Sequence, residues 1–174
     1  AWASGRFQLA CYKEEIEANL RTHGLSGFQL LDLHDYTGQG TALVGLLDPF
    51  WESKGYVTPD EFKKFCNTVV PLARLRQRVF TTADKFDAPV EIANFGDTTL
   101  TNVEAIWEIQ NGDELDNVVA QGTFPTSIIP IGKNISLGKI SVDLSNLHVN
   151  SRNISYAGSI NLPAPHKYKL VVAG

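Results

Sequence analysis

The chain has 174 residues, 43% of them hydrophobic, and carries 15 basic against 19 acidic side chains. The charge is spread evenly, with 7 basic and 9 acidic groups in residues 1–75 and 8 and 10 in residues 76–174, so no basic stripe is available for phosphates and nucleic acid is not an expected partner. No apolar run approaches the roughly 20 residues that span a bilayer, so no membrane partner is expected either.

No secretory pattern opens the chain. It contains no Met, not even an initiator, and so reads as an internal piece whose first partner is the remainder of the same polypeptide.

Residues 1–75 read as helices around one strand. Ser4 is placed to cap a helix carrying Leu9, Tyr12, Ile16 and Leu20 on one side, close to the helical period. Glu14, Glu15 and Glu17 fall largely on its wetter side, and Arg21 suits the dipole of the last turn. His23-Gly24 ends the helix. Residues 28–33 then read as a buried strand that finishes in Asp32, His34 and Asp35 before Gly38-Gln-Gly40.

A parallel α/β barrel places its chemistry where strands end, but a closed barrel takes on the order of 250 residues. This segment therefore reads as one stave of such a barrel. Residues 41–51 are an apolar stretch, read as a short helix or a packed loop. Thr58-Pro59-Asp60-Glu61 is a capping box that starts a second helix, with Phe62, Phe65, Cys66 and Val69 as its buried stripe and Pro71 as its end.

From about Arg76 the period becomes two, as in Val103, Ala105, Trp107 and Ile109. Further strands are expected at 78–82, 90–93, 118–124, 135–142, 155–162 and 168–173. About seven short strands with turn signals between them are the pattern of an immunoglobulin-type β-sandwich. A fibronectin-like domain or a partly open barrel suits the same count. Trp107 is expected in the core.

Cys11 and Cys66 read as buried thiols, with a disulfide left open. No metal-ligand spacing is present, and Gly38-Gln-Gly40 lacks the remaining glycine and the βαβ setting of a dinucleotide fingerprint. No metal or cofactor is therefore expected. Ser26, His34 and Asp35 do not form a hydrolase triad, because Ser26 lacks the G-x-S-x-G elbow. Asn134 and Asn153 head sequons, which matter only in a eukaryotic secretory pathway.

The run from Phe7 to Glu17, followed by Gly27-Phe-Gln-Leu-Leu-Asp-Leu-His-Asp35, resembles the end of the catalytic barrel of glycoside hydrolase family 2. In that family the last barrel strand reads approximately Gly-x3-Trp-x3-Asp, matched here by Gly27, Leu31 and Asp35. Leu47-Asp-Pro-Phe-Trp51 and Gly55-Tyr-Val-Thr-Pro-Asp-Glu-Phe62 resemble a bacterial, β-galactosidase-like branch often labelled sugar-binding. Residues 76–174 resemble the immunoglobulin-like domain that follows the barrel there.

The resemblance implies a mixed fold: a helix-rich α/β segment, the end of a TIM-type barrel, over residues 1–75, then an immunoglobulin-like antiparallel β-sandwich over 76–174. It also implies a parent that hydrolyses β-linked glycosides, with export to the periplasm or exterior usual in that branch. Leu31 departs from the family's Trp. The acid/base and nucleophile glutamates of a retaining glycosidase stand about 5–5.5 Å apart, and no position in this chain matches them. The chain is thus expected to be inactive alone. The alternative is a non-catalytic module that binds carbohydrate or scaffolds its neighbours.

Four residues are candidates for saccharide contact. Asp35 either bonds a sugar hydroxyl or caps the 36–40 turn. His34 is a ligand contact or a partly buried structural histidine. Asp32 shares the face of His34 and reads more readily as a buried, paired carboxylate. Trp51, with Phe50 and Tyr56 near it, is either a platform for a pyranose face or a cover over the barrel's end, the commoner role. An orphan stave leaves an apolar face open, which predicts self-association.

Overall fold

The computed structural model describes residues 2–38, 40, 43–111, 118–125, 127–146, 154–161 and 167–172, the last two stretches by their backbone pairing. The chain divides into two compact units, Ala1–Cys66 and Asn67–Gly174.

Unit 1 is organised by helix α1, Trp2–Arg21. The helix starts at Trp2, so Ser4 lies inside the first turn rather than capping it. Gly5, Leu9, Ile16 and Leu20 form the buried face. Glu17 is buried too, against the expectation of a wet position. Lys13 at 2.9 Å and Arg21 at 3.0 Å hold its carboxylate, the condition under which a buried charge persists.

After α1 the chain runs without regular structure to a single parallel bridge between His34 and Leu47 and an antiparallel one between Leu47 and Ser53. Helix α2 is one short turn and a half, Pro59–Lys63. Its capping box is complete, with the Thr58 hydroxyl accepting from the Glu61 N–H and the Glu61 carboxylate accepting from the Thr58 N–H.

Unit 2 is antiparallel throughout. Its strands are β1 (Val69–Ala73), β2 (Lys85–Asn94), β3 (Leu100–Asn111), β4 (Val118–Thr123), β5 (Ser127–Ile129), β6 (Gly132–Asp143), β7 (Ile154–Asn161) and β8 (Lys167–Val172). One sheet has the order β1-β2-β6, and the other β4-β3-β7-β8, with β5 also on β3. Phe86, Val90 and Ile92 of β2, Val103, Ala105 and Ile109 of β3, and Leu137 and Ile140 of β6 share one core.

Two prolines sit where a missing N–H does little harm. Pro71 lies on β1, an edge strand. Pro89 presents its carbonyl to Arg74 N at 2.9 Å, so its nitrogen faces the side where β1 ends rather than the β6 ladder.

The mixed fold class expected from the sequence is corrected. The protein is mostly antiparallel sheet with one long N-terminal helix, and no helix-rich α/β barrel end is present among the described residues. Residues 28–33 form no strand, and Leu31 is 82% exposed. A strand buried on both faces needs a parallel neighbour on each side to take its backbone hydrogen bonds. Among the described residues the His34–Leu47 bridge, where Leu47 N donates to the Leu33 carbonyl at 3.0 Å, is the one parallel pairing at its end.

The helix expected beyond Lys63 gives way to β1. Asn67 accepts from Thr68 N at 2.8 Å in a tight turn, and the β-branched Val69-Val70 then pair with Asn94 and Ala93. The strand expected at 78–82 is also absent. Asp84 accepts from the N–H and hydroxyl of Thr81 at 2.6 and 2.9 Å, which makes a turn leading into β2. Cys11 is exposed and Cys66 partly buried, both as free thiols. Asn153 of the second sequon lies outside the described residues, whereas Asn134 on β6 donates to Glu91 on β2 at 3.2 Å.

Candidate functional site

The functional candidates gather in unit 1 around the His34–Leu47 bridge. His34 and Asp35 are neighbours in extended chain and meet different surroundings.

The His34 imidazole lies against Trp51, with ring centroids 4.3 Å apart and planes tilted by 58°. Trp51 sits in a five-residue loop built on Asp48. The Asp48 carboxylate accepts from Phe50 N at 2.8 Å and Glu52 N at 2.9 Å, and its carbonyl accepts from Trp51 N at 3.1 Å. Aspartate favours such turns because its short side chain bonds the backbone two residues on.

The loop forces Trp51 to φ 67°, a conformation few bulky residues adopt. It leaves the indole 61% exposed and the Phe50 ring 81% exposed.

Asp35 is buried and faces the other way. Its Oδ1 accepts from Gly45 N at 2.8 Å and from Lys54 Nζ at 2.7 Å. It thus fastens the 43–45 segment to the chain at 35; the turn at 36–40 includes residue 39, which lies outside the described residues. The Lys54 hydrogen bond is the main reason the carboxyl is held below the ordinary aspartate range, an effect that burial opposes and the Gly45 N–H assists. Lys54 also donates to the Gly45 carbonyl at 2.8 Å.

Gly45 is required here, because a Cβ would press on the His34 and Asp35 backbone. Asp32, half-buried at φ 60°, breaks the regular extended run. It therefore does not share a strand face with His34.

Beyond Lys54 lies a cleft of about 700 Å³, the size range of small-molecule sites. Trp2, Leu43, Val44 and Tyr56 give its apolar walls, and Ser4, Gln8 and Lys54 its polar points. The Tyr56 ring lies directly on Gly5, where a Cβ would come within 2.6 Å of it. Tyr56 donates to the Gly45 carbonyl at 3.0 Å. Burial, with a smaller contribution from the Asp35 charge, raises the phenol's pKa, so it stays protonated. Gln8 donates to the Val44 carbonyl and to the Tyr12 hydroxyl, tying α1 to the loop.

Sequence reasoning missed Gln8, Gly45 and Lys54, and took Tyr56 only as a neighbour of Trp51. These residues are scattered between Gln8 and Tyr56, 48 positions apart, and follow no motif. The one local hint is the repeated Gly in a loop that must pass close to another backbone. Among the described residues no group of three or more His, Cys, Asp or Glu side chains is placed to hold a metal ion.

A family model described as "Domain of unknown function (DUF8488)" matches residues 84–161. That span runs from the turn before β2 to the end of β7 and leaves unit 1 outside it. None of the curated proteins compared matches the chain.

Proposed function

We propose that this chain recognises carbohydrate without hydrolysing it, through the Trp51 platform. The observation that carries the reading is an exposed indole held at a left-handed φ by the Asp48 loop and backed by His34. A bulky residue in that conformation costs on the order of 1–3 kcal/mol and persists only where its surroundings over-determine it.

A flat, exposed ring suits the C–H face of a pyranose, which is apolar while its hydroxyls point outward. Phe50 extends the apolar surface by one residue. Asp35 acts as a positioning residue, since its bonds to Gly45 and Lys54 fix the chain that carries His34.

The platform serves equally within a β-glycoside hydrolase polypeptide, as the resemblance implies, or in a free-standing binding module. In either setting the Asp35 carboxylate, tied to an ammonium and an amide, is poorly placed to attack or protonate a glycosidic bond.

Isothermal titration with neutral β-linked oligosaccharides tests the reading. Saturable binding should disappear in Trp51→Ala and persist in Phe7→Ala. Binding that survives Trp51→Ala would overturn the assignment. Purified chain should leave nitrophenyl β-galactoside unhydrolysed, and turnover abolished by Asp35→Asn would replace binding with catalysis.

A further inference from the structure

The cleft beside Lys54 is separate from the platform, because His34 turns to Trp51 while Asp35 turns to Lys54. We infer that this cleft is a second binding site, for an uncharged small molecule bearing an aryl ring.

Its walls are preformed. The Tyr56 ring is seated on Gly5, its hydroxyl is fixed by the Gly45 carbonyl, and Gln8 is committed to Val44 and Tyr12. A site that needs no ordering keeps more of its contact energy as affinity.

The lining is apolar on Trp2, Leu43 and Val44, and both nearby cations are already paired. Lys54 is 2.7 Å from the Asp35 carboxylate and 2.8 Å from the Gly45 carbonyl. Arg6, whose guanidinium lies 5.8 Å from the Trp2 ring centroid, is 2.9 Å from Glu61.

An anion would have to compete with Asp35 for Lys54. A cation would meet the Lys54 ammonium, and no carboxylate lines the cleft among the described residues. A neutral ring sets up neither conflict and gains the apolar burial.

Three probes with the same ring and different charge test the inference: benzyl alcohol, benzoate and benzylammonium, titrated into the whole chain by ligand-observed and protein-observed NMR. Benzyl alcohol should bind saturably and shift the Trp2 indole N–H resonance. The two ions should bind at least about fivefold more weakly, as charge mismatch dictates. Val44→Trp fills the cleft from a half-exposed loop position and should remove binding. Ser4→Trp, at an exposed position of α1, is a second plug should the first variant fail to fold. Trp51→Ala should leave the titration unchanged.

Equal binding of all three probes, no saturable binding of benzyl alcohol, or retained binding in a folded plug variant would each overturn the inference. Loss in Trp51→Ala would assign the ring to the platform and overturn it too. Failure here leaves the oligosaccharide titration unaffected, so the two readings fall separately.

Discussion

Asp35 shows how one buried side chain holds a loop, through Gly45 N at 2.8 Å and Lys54 Nζ at 2.7 Å. Its folded-state pKa lies below the ordinary 3.8, chiefly through Lys54. A depressed carboxylate contributes stability that is fully present above its unfolded value and is lost as pH falls through the lower folded value. Melting temperatures of wild type and Asp35→Asn should therefore differ at pH 5 to 7 and converge as pH drops below 3.8. A gap that stays constant with pH would show that the Lys54 pair does not matter to stability.

Trp51 behaves oppositely. Trp51→Gly removes the left-handed strain along with the ring. Stability should therefore be unchanged or raised by up to about 1 kcal/mol, while oligosaccharide binding is lost. That divergence between melt and titration separates a residue kept for binding from one kept for packing.

At the scale of elements, two local devices can be weighed. The Thr58 capping box stands at the start of a five-residue helix, which gains little from propagation and depends on its cap. Thr58→Ala should cost about 1 kcal/mol in a chemical melt.

In β3 the indole of Trp107 lies opposite Gly122 on β4 and Gly158 on β7. A Cβ at Gly122 would stand 2.6 Å from the ring, so the glycine makes room for the indole across the strand. Trp107 packs against the core but stays partly exposed at its margin. Trp107→Ala should accordingly cost about 2–3 kcal/mol, below the 3–5 kcal/mol of a fully buried aromatic. Gly122→Val should cost about 1–3 kcal/mol by overpacking. Equal melts for wild type and Trp107→Ala would place the indole outside the packed structure.

At the scale of the molecule, the two units differ in how well they cover their apolar surface. Most of the large apolar side chains left exposed among the described residues belong to unit 1, including Trp2, Phe7, Leu31, Leu43 and Phe50. Unit 2 gathers its own into one core shared by both sheets. Contiguous exposed apolar surface drives association. Light scattering of the full chain should thus show species larger than a monomer, and residues 67–174 alone should be monomeric with a cooperative melt. A monomeric full chain would mean that unit 1 tolerates its exposed surface. The family match, confined to 84–161, falls within unit 2 and so bears on neither the platform nor the cleft.

The sequence by itself determined what is local. The alternation of Val103, Ala105, Trp107 and Ile109 falls on β3, and the strands anticipated at 90–93 and 135–142 lie within β2 and β6. Thr58, Pro59 and Glu61 specified their cap because every atom of that motif lies within four residues. The apolar period of α1 is legible for the same reason.

What only the tertiary structure decided is which runs find partners. Residues 28–33 have a buried strand's composition, but among the described residues their ladder is reduced to the bond from Leu47 N to the Leu33 carbonyl, 3.0 Å long. Val69 continues the helical stripe of Phe62, Phe65 and Cys66 but pairs with Asn94 of β2 instead. Charge and contact are equally non-local. Glu17 is dry because Lys13 and Arg21 enclose it, and Asp35 reaches a lysine 19 positions away. Pairing, burial and the cleft are settled by groups distant in sequence, whose approach no local period encodes.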